Sequence, residues 1–474
     1  MGATLADLTS RGVKAPDLRD HIRAVNGAYA AFPRHELDTP TILARKLETS
    51  HWRAATLSRI LAEARGGGMR GADLADALLE LNLYLFPDDR KRIERLLPDR
   101  EAVARVFARM GVRLPDVHRY HRAAGPEPDL TIEANRDSPW PFERWKRMEA
   151  FSEYEEVGTG IRFRGIDLYP GDVILTNVNL DGNFIFSSLP DPKSIFPHAA
   201  FFVMLEDEGR RYPAVVETYE KGVRAVPLSI FLNARYIAYA EVFRHGGIDE
   251  ASHGELGRVA LDIIRHIRGY NFQSCEADPH YTSCTYLGNL LFEEVGARPV
   301  EPRSGVVHPG ILQTLGRVDY VDLDPFFAPV DYLLHEDFLF VGVVDNNQFA
   351  RTLTREVVEH VFRKRVEEGR LGHRRFPFPY YFTLWGIRRI RKNSLVGRIV
   401  SRFAGFDHES LPKGPDRIIA IIPSAEAELA RAVRNLLPFV EQRLEELEDF
   451  DFQAFLNDPE LQQIADERLG MPWL

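Results

Sequence analysis

Cys284 is one of only two cysteines in this chain, in the run Tyr281-Thr282-Ser283-Cys284-Thr285-Tyr286-Leu287-Gly288. Apolar residues at Leu287, Leu290, Leu291 and Val295 are spaced as one helical stripe, with Ser283 as the N-cap and Gly296 as the stop. Cys284 then falls in the first turn. A helix N-terminus favours negative charge, so a thiol placed there can ionise near neutral pH and serve as a nucleophile. The turn-rich stretch Cys275-Glu276-Ala277-Asp278-Pro279-His280 predicts a loop that delivers the chain into this helix. The plainer reading is a structural cysteine, because free cysteine is among the most buried residue types. A base, and a group to orient it, would separate the two.

Candidates for both lie upstream, in a segment that reads as successive strands. Gly171-Asp172-Val173-Ile174-Leu175-Thr176 is a turn feeding an apolar strand. His198-Ala199-Ala200-Phe201-Phe202-Val203-Met204-Leu205 is a second, entered through Phe196-Pro197, with His198 at its first position. Ala214-Val215-Val216-Glu217-Thr218-Tyr219 is a third, followed by the turn Glu220-Lys221-Gly222-Val223, and it leaves Glu217 as the lone acid of an apolar strand. Burying a carboxylate is costly unless it is paired, so Glu217 calls for a partner. His198 on the neighbouring strand is the natural one. Period-two alternation sets His198, Ala200 and Phe202 on one face and Val215, Glu217 and Tyr219 on another, which meet if the register is compatible.

The order of these pieces resembles the permuted papain-like cysteine hydrolases of the YiiX and YebB type, relatives of the NlpC peptidases and of lecithin retinol acyltransferase. The matching fragments are Gly171-Asp172-Val173-Ile174, Pro197-His198-Ala199-Ala200-Phe201, Val215-Val216-Glu217, Gly222-Val223, Gly269-Tyr270-Asn271-Phe272 and Ser283-Cys284-Thr285. They fall in roughly residues 160 to 300. In that family the histidine strand precedes the cysteine helix. Two differences stand out: Pro-His-Ala-Ala replaces the family's Ser-His-Val-Gly, and Tyr286 stands where an acid is common.

The resemblance implies a fold and a set of roles. The expected class is α+β, a permuted papain-like core in which an antiparallel sheet packs on the cysteine-bearing helix, with helical regions on either side. Cys284 is implied as nucleophile, His198 as general base and acid, and Glu217 as the group orienting the imidazole. The chemistry would be hydrolysis of an amide or peptide bond through a thioester acyl-enzyme, with acyl transfer to or from a lipid as the alternative and a binding module without turnover as a third reading. The N–H of Cys284 is a candidate oxyanion donor, and Tyr281 and Asn271 are candidates for the second. His280, four residues before Cys284, is a weaker candidate base. A zinc site from Cys275, Cys284, His280 and His198 lacks the usual paired spacing, so no metal and no other cofactor is expected.

The length of 474 residues and 45% hydrophobic content predict two or three folded domains. Residues 1–150 read as a helical domain with helices over Asp17–Ala31, Thr41–Ala64, Gly71–Leu85 and Arg100–Met110, closed by a linker at Asp137-Ser138-Pro139-Trp140-Pro141-Phe142. Residues 151–345 form the catalytic part, where Asp331-Tyr332-Leu333-Leu334 and Phe338–Val344 read as strand-like and finish the sheet. Residues 346–474 form a C-terminal helical region. The opening residues, Met1 to Leu8, show no secretory pattern, and two cysteines suit a reducing compartment, so the expectation is a cytoplasmic protein.

Charge is distributed unevenly. From Arg351 to Phe403, 14 Lys plus Arg stand against 4 Glu, a net +10 in a chain whose total is −10. Within it, Phe376-Pro377-Phe378-Pro379-Tyr380-Tyr381-Phe382 leads to Ile387-Arg388-Arg389-Ile390-Arg391-Lys392, and aromatic residues beside basic ones suit the surface of an anionic membrane. Residues 376–403 are therefore read as a segment for peripheral membrane contact, or else as a basic surface paired with the acidic run Glu441 to Glu448. Nucleic acid is not an expected partner, because no recognised motif is present and the whole chain is acidic. The absence of a Rossmann fingerprint or phosphate-cradling loop argues against nucleotide cofactors.

Overall fold

Runs of β-branched and aromatic residues interrupted by tight turns build the sheets of this protein. The computed structural model describes residues 15–30, 34, 38–109, 154–178, 190–191, 193–194, 196–219, 222–232, 237–272, 278–302, 306–307, 327–368, 378–404, 408, 411–414, 416–447 and 450–469. In chain order the strands are β1 (Glu155–Val157), β2 (Gly160–Phe163), β3 (Ile166–Leu168), β4 (Val173–Val178), β5 (Pro190–Asp191), β6 (His198–Asp207) and β7 (Arg210–Tyr219). They continue with β8 (Gly222–Pro227), β9 (Ile237–His245), β10 (Gly269–Tyr270), β11 (Tyr281–Thr282), β12 (Val306–Val307) and β13 (Phe338–Asp345). Six of them form one antiparallel sheet in the order β13-β9-β4-β6-β7-β8. With helices before and after it in the chain, the class is mixed α+β.

β6 is central, and its first eight residues are all buried. A near-continuous apolar run of that length is what a strand covered on both faces requires. β4 starts where Gly171 takes φ 94°, and Asp172 behind it accepts the Tyr169 N–H and pairs with Arg244 of β9 at 2.8 Å. β7 and β8 are joined by two residues, which fixes the pairs Tyr219↔Gly222, Thr218↔Val223 and Glu217↔Arg224. Two helices approach β6 closely through glycine. A Cβ on Gly257 of the His253–His266 helix would stand 2.2 Å from the Met204 carbonyl oxygen. One on Gly288 of the Tyr286–Glu294 helix would stand 2.5 Å from the Phe201 ring and 2.3 Å from the Tyr332 hydroxyl.

The N-terminal helices Ala15–Ala30, Thr39–Gly66, Gly71–Leu81, Pro87–Leu96 and Arg100–Arg109 share an apolar cluster that includes Ile22, Ile60, Leu74 and Ile93. A second cluster extends from Tyr29 and Leu47 through the main sheet to Leu436 and Leu469, so the C-terminal helices pack on the same core as the sheet. Charged side chains also join the N-terminal region to β9. Glu241, fully buried, takes the Tyr29 hydroxyl and, at 3.2 Å, the Arg34 guanidinium.

Three readings of the sequence need correction. The segment around Asp331-Tyr332-Leu333-Leu334 is a short helix, Val330–Leu334, started by the Asp331 carboxylate accepting the Ala328 N–H at 2.9 Å. The third N-terminal helix stops at Leu81 rather than Leu85, because Asn82 turns left-handed at φ 51° and Leu83 leaves to bridge Asp345. A helix at Pro87–Leu96, with proline in its first turn, was not foreseen, nor were β9 and the His253–His266 helix. The readings at Met1 to Leu8, Asp137 to Phe142, Cys275 and Phe376-Pro377 lie outside the described residues.

Candidate active site

His198 opens β6 as expected, and Glu217 lies on the neighbouring β7. The register pairs Phe202 with Val215, so the alternation carries His198 and Glu217 to the same face. There His198 Nε2 is 2.8 Å from Glu217 Oε2. The other carboxylate oxygen, Oε1, receives Arg224 from β8 through Nε at 2.7 Å and a second nitrogen at 2.6 Å. Both oxygens of a buried acid are thus satisfied by cations or a proton donor.

Cys284 is buried beside His198, near enough for the two side chains to shift each other's ionisation. With Nε2 taken by Glu217, Nδ1 is the ring nitrogen left for the sulfur. The regular helix runs Tyr286–Glu294, and Cys284 occupies the turn immediately before it. The N-cap position is Thr285 rather than the Ser283 expected, and Thr285 makes no side-chain cap bond; Ser283, two residues earlier, still serves the helix start, its Oγ accepting the Tyr286 N–H at 3.3 Å and its carbonyl the Leu287 N–H at 3.1 Å. Gly296 ends the helix with φ 72°.

The turn is held from several sides. Thr218 of β7 donates its hydroxyl to the Ser283 carbonyl at 3.2 Å, Thr285 donates to the Phe327 carbonyl at 3.0 Å, and Tyr332 donates to the Thr285 carbonyl at 2.6 Å. Ser283 and Thr285 share a hydroxyl contact at 3.1 Å. The Phe231 ring, 6.5 Å from the imidazole between centroids, supplies an apolar neighbour on the His198 side.

These contacts set the ionisation of the group. Burial opposes charge on Cys284, but the hydrogen bond and positive charge of His198, aided by the Ala199 N–H and the Tyr270 hydroxyl, hold the thiol below its ordinary value. Burial likewise works against a charged His198, yet its hydrogen bonds to Cys284 and Glu217 and their negative charges push it up to about 10. For Glu217, burial is outweighed by the charge of Arg224 and by the His198 hydrogen bond, which bring it down to about 2. At neutral pH Glu217 is therefore a carboxylate between Arg224 and a His198 whose positive charge it favours, and the Cys284 thiol beside His198 is biased towards the thiolate.

Two members were missed from sequence. Arg224 was legible in principle, since the turn after Tyr219 places it directly opposite Glu217. Tyr270, quoted above within a matching fragment but given no role, brings its hydroxyl to 3.9 Å from Cys284 Sγ. It is held there because β10 pairs in parallel with β11, Tyr270 opposite Thr282, two residues before the cysteine. Asn271 is placed by its backbone: its N–H donates to the Thr282 carbonyl, and it bridges Lys413. Tyr281 likewise receives its described position from β11 and from its N–H on Asp278. His280 is exposed in the turn ahead of β11, with its carbonyl bound by the Arg268 N–H.

Among the described residues no group of three or more His, Cys, Asp and Glu side chains is arranged to hold a metal ion. Among them, too, no helix is long and apolar enough to cross a membrane. No protein-family model matches this chain, and no curated protein or solved structure matches it either. Function must be argued from the side chains themselves.

Proposed function

We propose that this protein is a cysteine hydrolase that cleaves an amide or peptide bond, using Cys284, His198 and Glu217 on a permuted papain-like core. The observation that carries the reading is the buried cluster of Cys284, His198, Glu217 and Arg224, in which His198 and Arg224 each bond an oxygen of the Glu217 carboxylate and Cys284 lies beside His198 with its thiol held below the ordinary value. A structural cysteine needs none of this. Supporting it is the chain order, a histidine strand and an acid strand ahead of the cysteine turn and its helix.

The geometry supports a two-stage reaction. The thiolate of Cys284 attacks the carbonyl carbon, forming a C–S bond and an oxyanion. The Cys284 N–H, at the start of the turn into the helix, and the Tyr270 hydroxyl near the sulfur are the donors within reach of that oxygen. As the C–N bond breaks, the imidazolium of His198 gives its proton to the departing amine, leaving a thioester and a neutral imidazole. Water then donates a proton to His198 as its oxygen attacks the thioester. The C–S bond breaks, the acid product leaves, and the thiolate–imidazolium pair is restored. Glu217 keeps the ring oriented throughout and stabilises its positive charge.

Labelling by iodoacetamide as a function of pH tests this reading, with peptide mass identifying the modified cysteine. Cys284 labels in the wild type well below the ordinary thiol range of about 8.5, and His198→Ala abolishes that depression. A Cys284 that stays inert, or labels as an ordinary thiol in both proteins, overturns the proposal. Screening of acyl substrates follows, with Cys284→Ala as the inactive control and Cys275→Ala as the active one.

A second reading, acyl transfer to or from a lipid, is favoured by one observation away from the site. Helices that carry the basic aromatic segment expose large apolar side chains to solvent.

A further inference from the structure

The helices Phe378–Arg391 and Leu395–Ala404 form a hairpin around the turn at Lys392–Ser394. They meet at glycine: a Cβ on Gly397 would lie 2.1 Å from the Arg389 carbonyl oxygen, and one on Gly386 would touch Val400 at 3.4 Å. Close approach of this kind leaves the hairpin with one arrangement. Its buried side, with Tyr380, Leu384, Ile387 and Ile390, belongs to the main core.

Its outer side is apolar where a soluble surface is ordinarily polar. Phe382 is 60% exposed, Leu395 73% and Ile399 52%, with Trp385 and Val396 exposed beside them. The Phe382 and Trp385 rings stack at 5.9 Å, and the Arg389 guanidinium lies 5.7 Å from the Trp385 ring. Arg389, Lys392, Arg398 and Arg402 are exposed around these groups, and residues 378–404 include no Asp or Glu. Asp416 pairs with Arg391 at 2.6 Å and stands 3.9 Å from Arg388.

We propose that this hairpin docks on an anionic bilayer, its aromatic and aliphatic side chains entering the headgroup boundary while the arginines and lysine meet lipid phosphates and carboxylates. Two alternative occupants fit less well. A second copy would bring two basic faces together, and a nucleic acid offers nothing to Leu395, Val396 and Ile399. Trp385 and Phe382 are the residue types that anchor at a membrane interface, and basic residues near the headgroups add to the attraction. The docking face is also tied to the cysteine. Arg391 donates to the Gly414 carbonyl at 3.1 Å, the adjacent Lys413 N–H donates to the Tyr270 carbonyl at 2.9 Å, and the Tyr270 hydroxyl faces Cys284. Membrane docking does not depend on the proposed catalysis.

Co-sedimentation of the full chain with vesicles tests it, using phosphatidylcholine alone and phosphatidylcholine mixed with phosphatidylserine at low and high salt. One variant carries Arg389→Glu, Lys392→Glu and Arg398→Glu; the other carries Trp385→Ser, Leu395→Ser and Ile399→Ser. All six positions are exposed, and circular dichroism verifies that both variants fold. The wild type and Cys284→Ala bind the serine-containing vesicles alike and leave the neutral ones, and salt weakens the binding. Removal of each basic residue weakens partition by roughly fivefold, and the apolar variant loses binding as well. Equal partition of all proteins, or no binding at low salt, overturns the proposal. So does light scattering that shows a dimer which the apolar variant dissolves, since the face would then belong to a second copy.

Discussion

His198 Nε2 and Glu217 Oε2 lie 2.8 Å apart across neighbouring strands, and the second oxygen of the same carboxylate is bound by Arg224. The acid is therefore held ionised from one side while it orients the imidazole on the other. Replacing Glu217 by Gln keeps the size of the side chain but removes the charge and puts an amide opposite both a ring nitrogen and a guanidinium. Turnover of an amide substrate is expected to fall by about a hundredfold or more, the scale of general acid–base catalysis. Steady-state kinetics of Glu217→Gln checks this, with folding verified by circular dichroism.

Arg224 reaches the imidazole through Glu217. Arg224→Met leaves a buried carboxylate facing His198 alone and raises the Glu217 pKa from about 2 towards the ordinary range, because the charge of Arg224 is the largest cause of its depression. The acid limb of the rate profile should move to higher pH in this variant. Arg224→Lys, which keeps the charge but not the two-nitrogen contact, should restore most of the profile. A merely structural arginine would change stability without moving that limb.

Stability should depend on pH through the same groups. Glu217, brought below its ordinary 4.5 to about 2, contributes stability that is present above 4.5 and is lost as pH falls through its folded value. His198, raised from 6.5 to about 10, contributes stability that is full below 6.5 and is lost as pH rises through 10. Cys284 has the opposite slope: its lowered pKa gives stability that is full above its ordinary value and fades as pH falls. Urea titrations should show the stability gap between wild type and Glu217→Gln narrowing as pH falls from about 5 to about 3. A gap that widens over that range contradicts the assignment.

The positions of His198 and Glu217 were readable because one strand opened at a histidine after Phe196-Pro197 and the next held a single acid among apolar residues. Gly296 was readable for a similar reason, since a left-handed helix stop is local chemistry, whereas the N-cap fell at Thr285 instead of Ser283 because the turn holding Cys284 precedes the regular helix. Arg224 was overlooked although two-residue turns fix register, and Tyr270 could not have been placed, because parallel pairing of β10 with β11 is a tertiary fact. Val330–Leu334 was misread because five apolar-rich residues carry no period long enough to separate helix from strand. β9 escaped because Glu241 and Arg244 interrupt its apolar run, and both find partners only in the fold: Glu241 with Tyr29 and Arg34, Arg244 with Asp172.

Glu241 gives a test of the scaffold apart from the site. It is fully buried on β9, and Arg34, itself buried, stacks 3.8 Å from the Phe340 ring while pairing with it. Glu241→Ala leaves the Arg34 charge buried without its carboxylate, a loss of about 3 to 5 kcal/mol. Denaturant titration should show that loss, and the double variant Glu241→Leu with Arg34→Met should recover much of it, since neither charge is then left alone.

Gly288 connects packing to chemistry. A methyl group at this position would lie 2.3 Å from the Tyr332 hydroxyl and 2.5 Å from the Phe201 ring, and both rings are fully buried, so neither can swing into solvent. Gly288→Ala should therefore cost about 1 to 3 kcal/mol through overpacking, against the small gain in helix propensity that alanine ordinarily brings. The displaced helix starts two residues after Cys284, and Tyr332 holds the Thr285 carbonyl beside it. The thiol should then lose its register with His198, and its labelling should shift towards an ordinary cysteine even in the fraction that remains folded. Trimming the obstacle in Gly288→Ala with Tyr332→Phe removes the hydroxyl contact but not the Phe201 contact, so labelling should recover only in part. Full recovery would show that Phe201 yields and that the strand does not set the helix position.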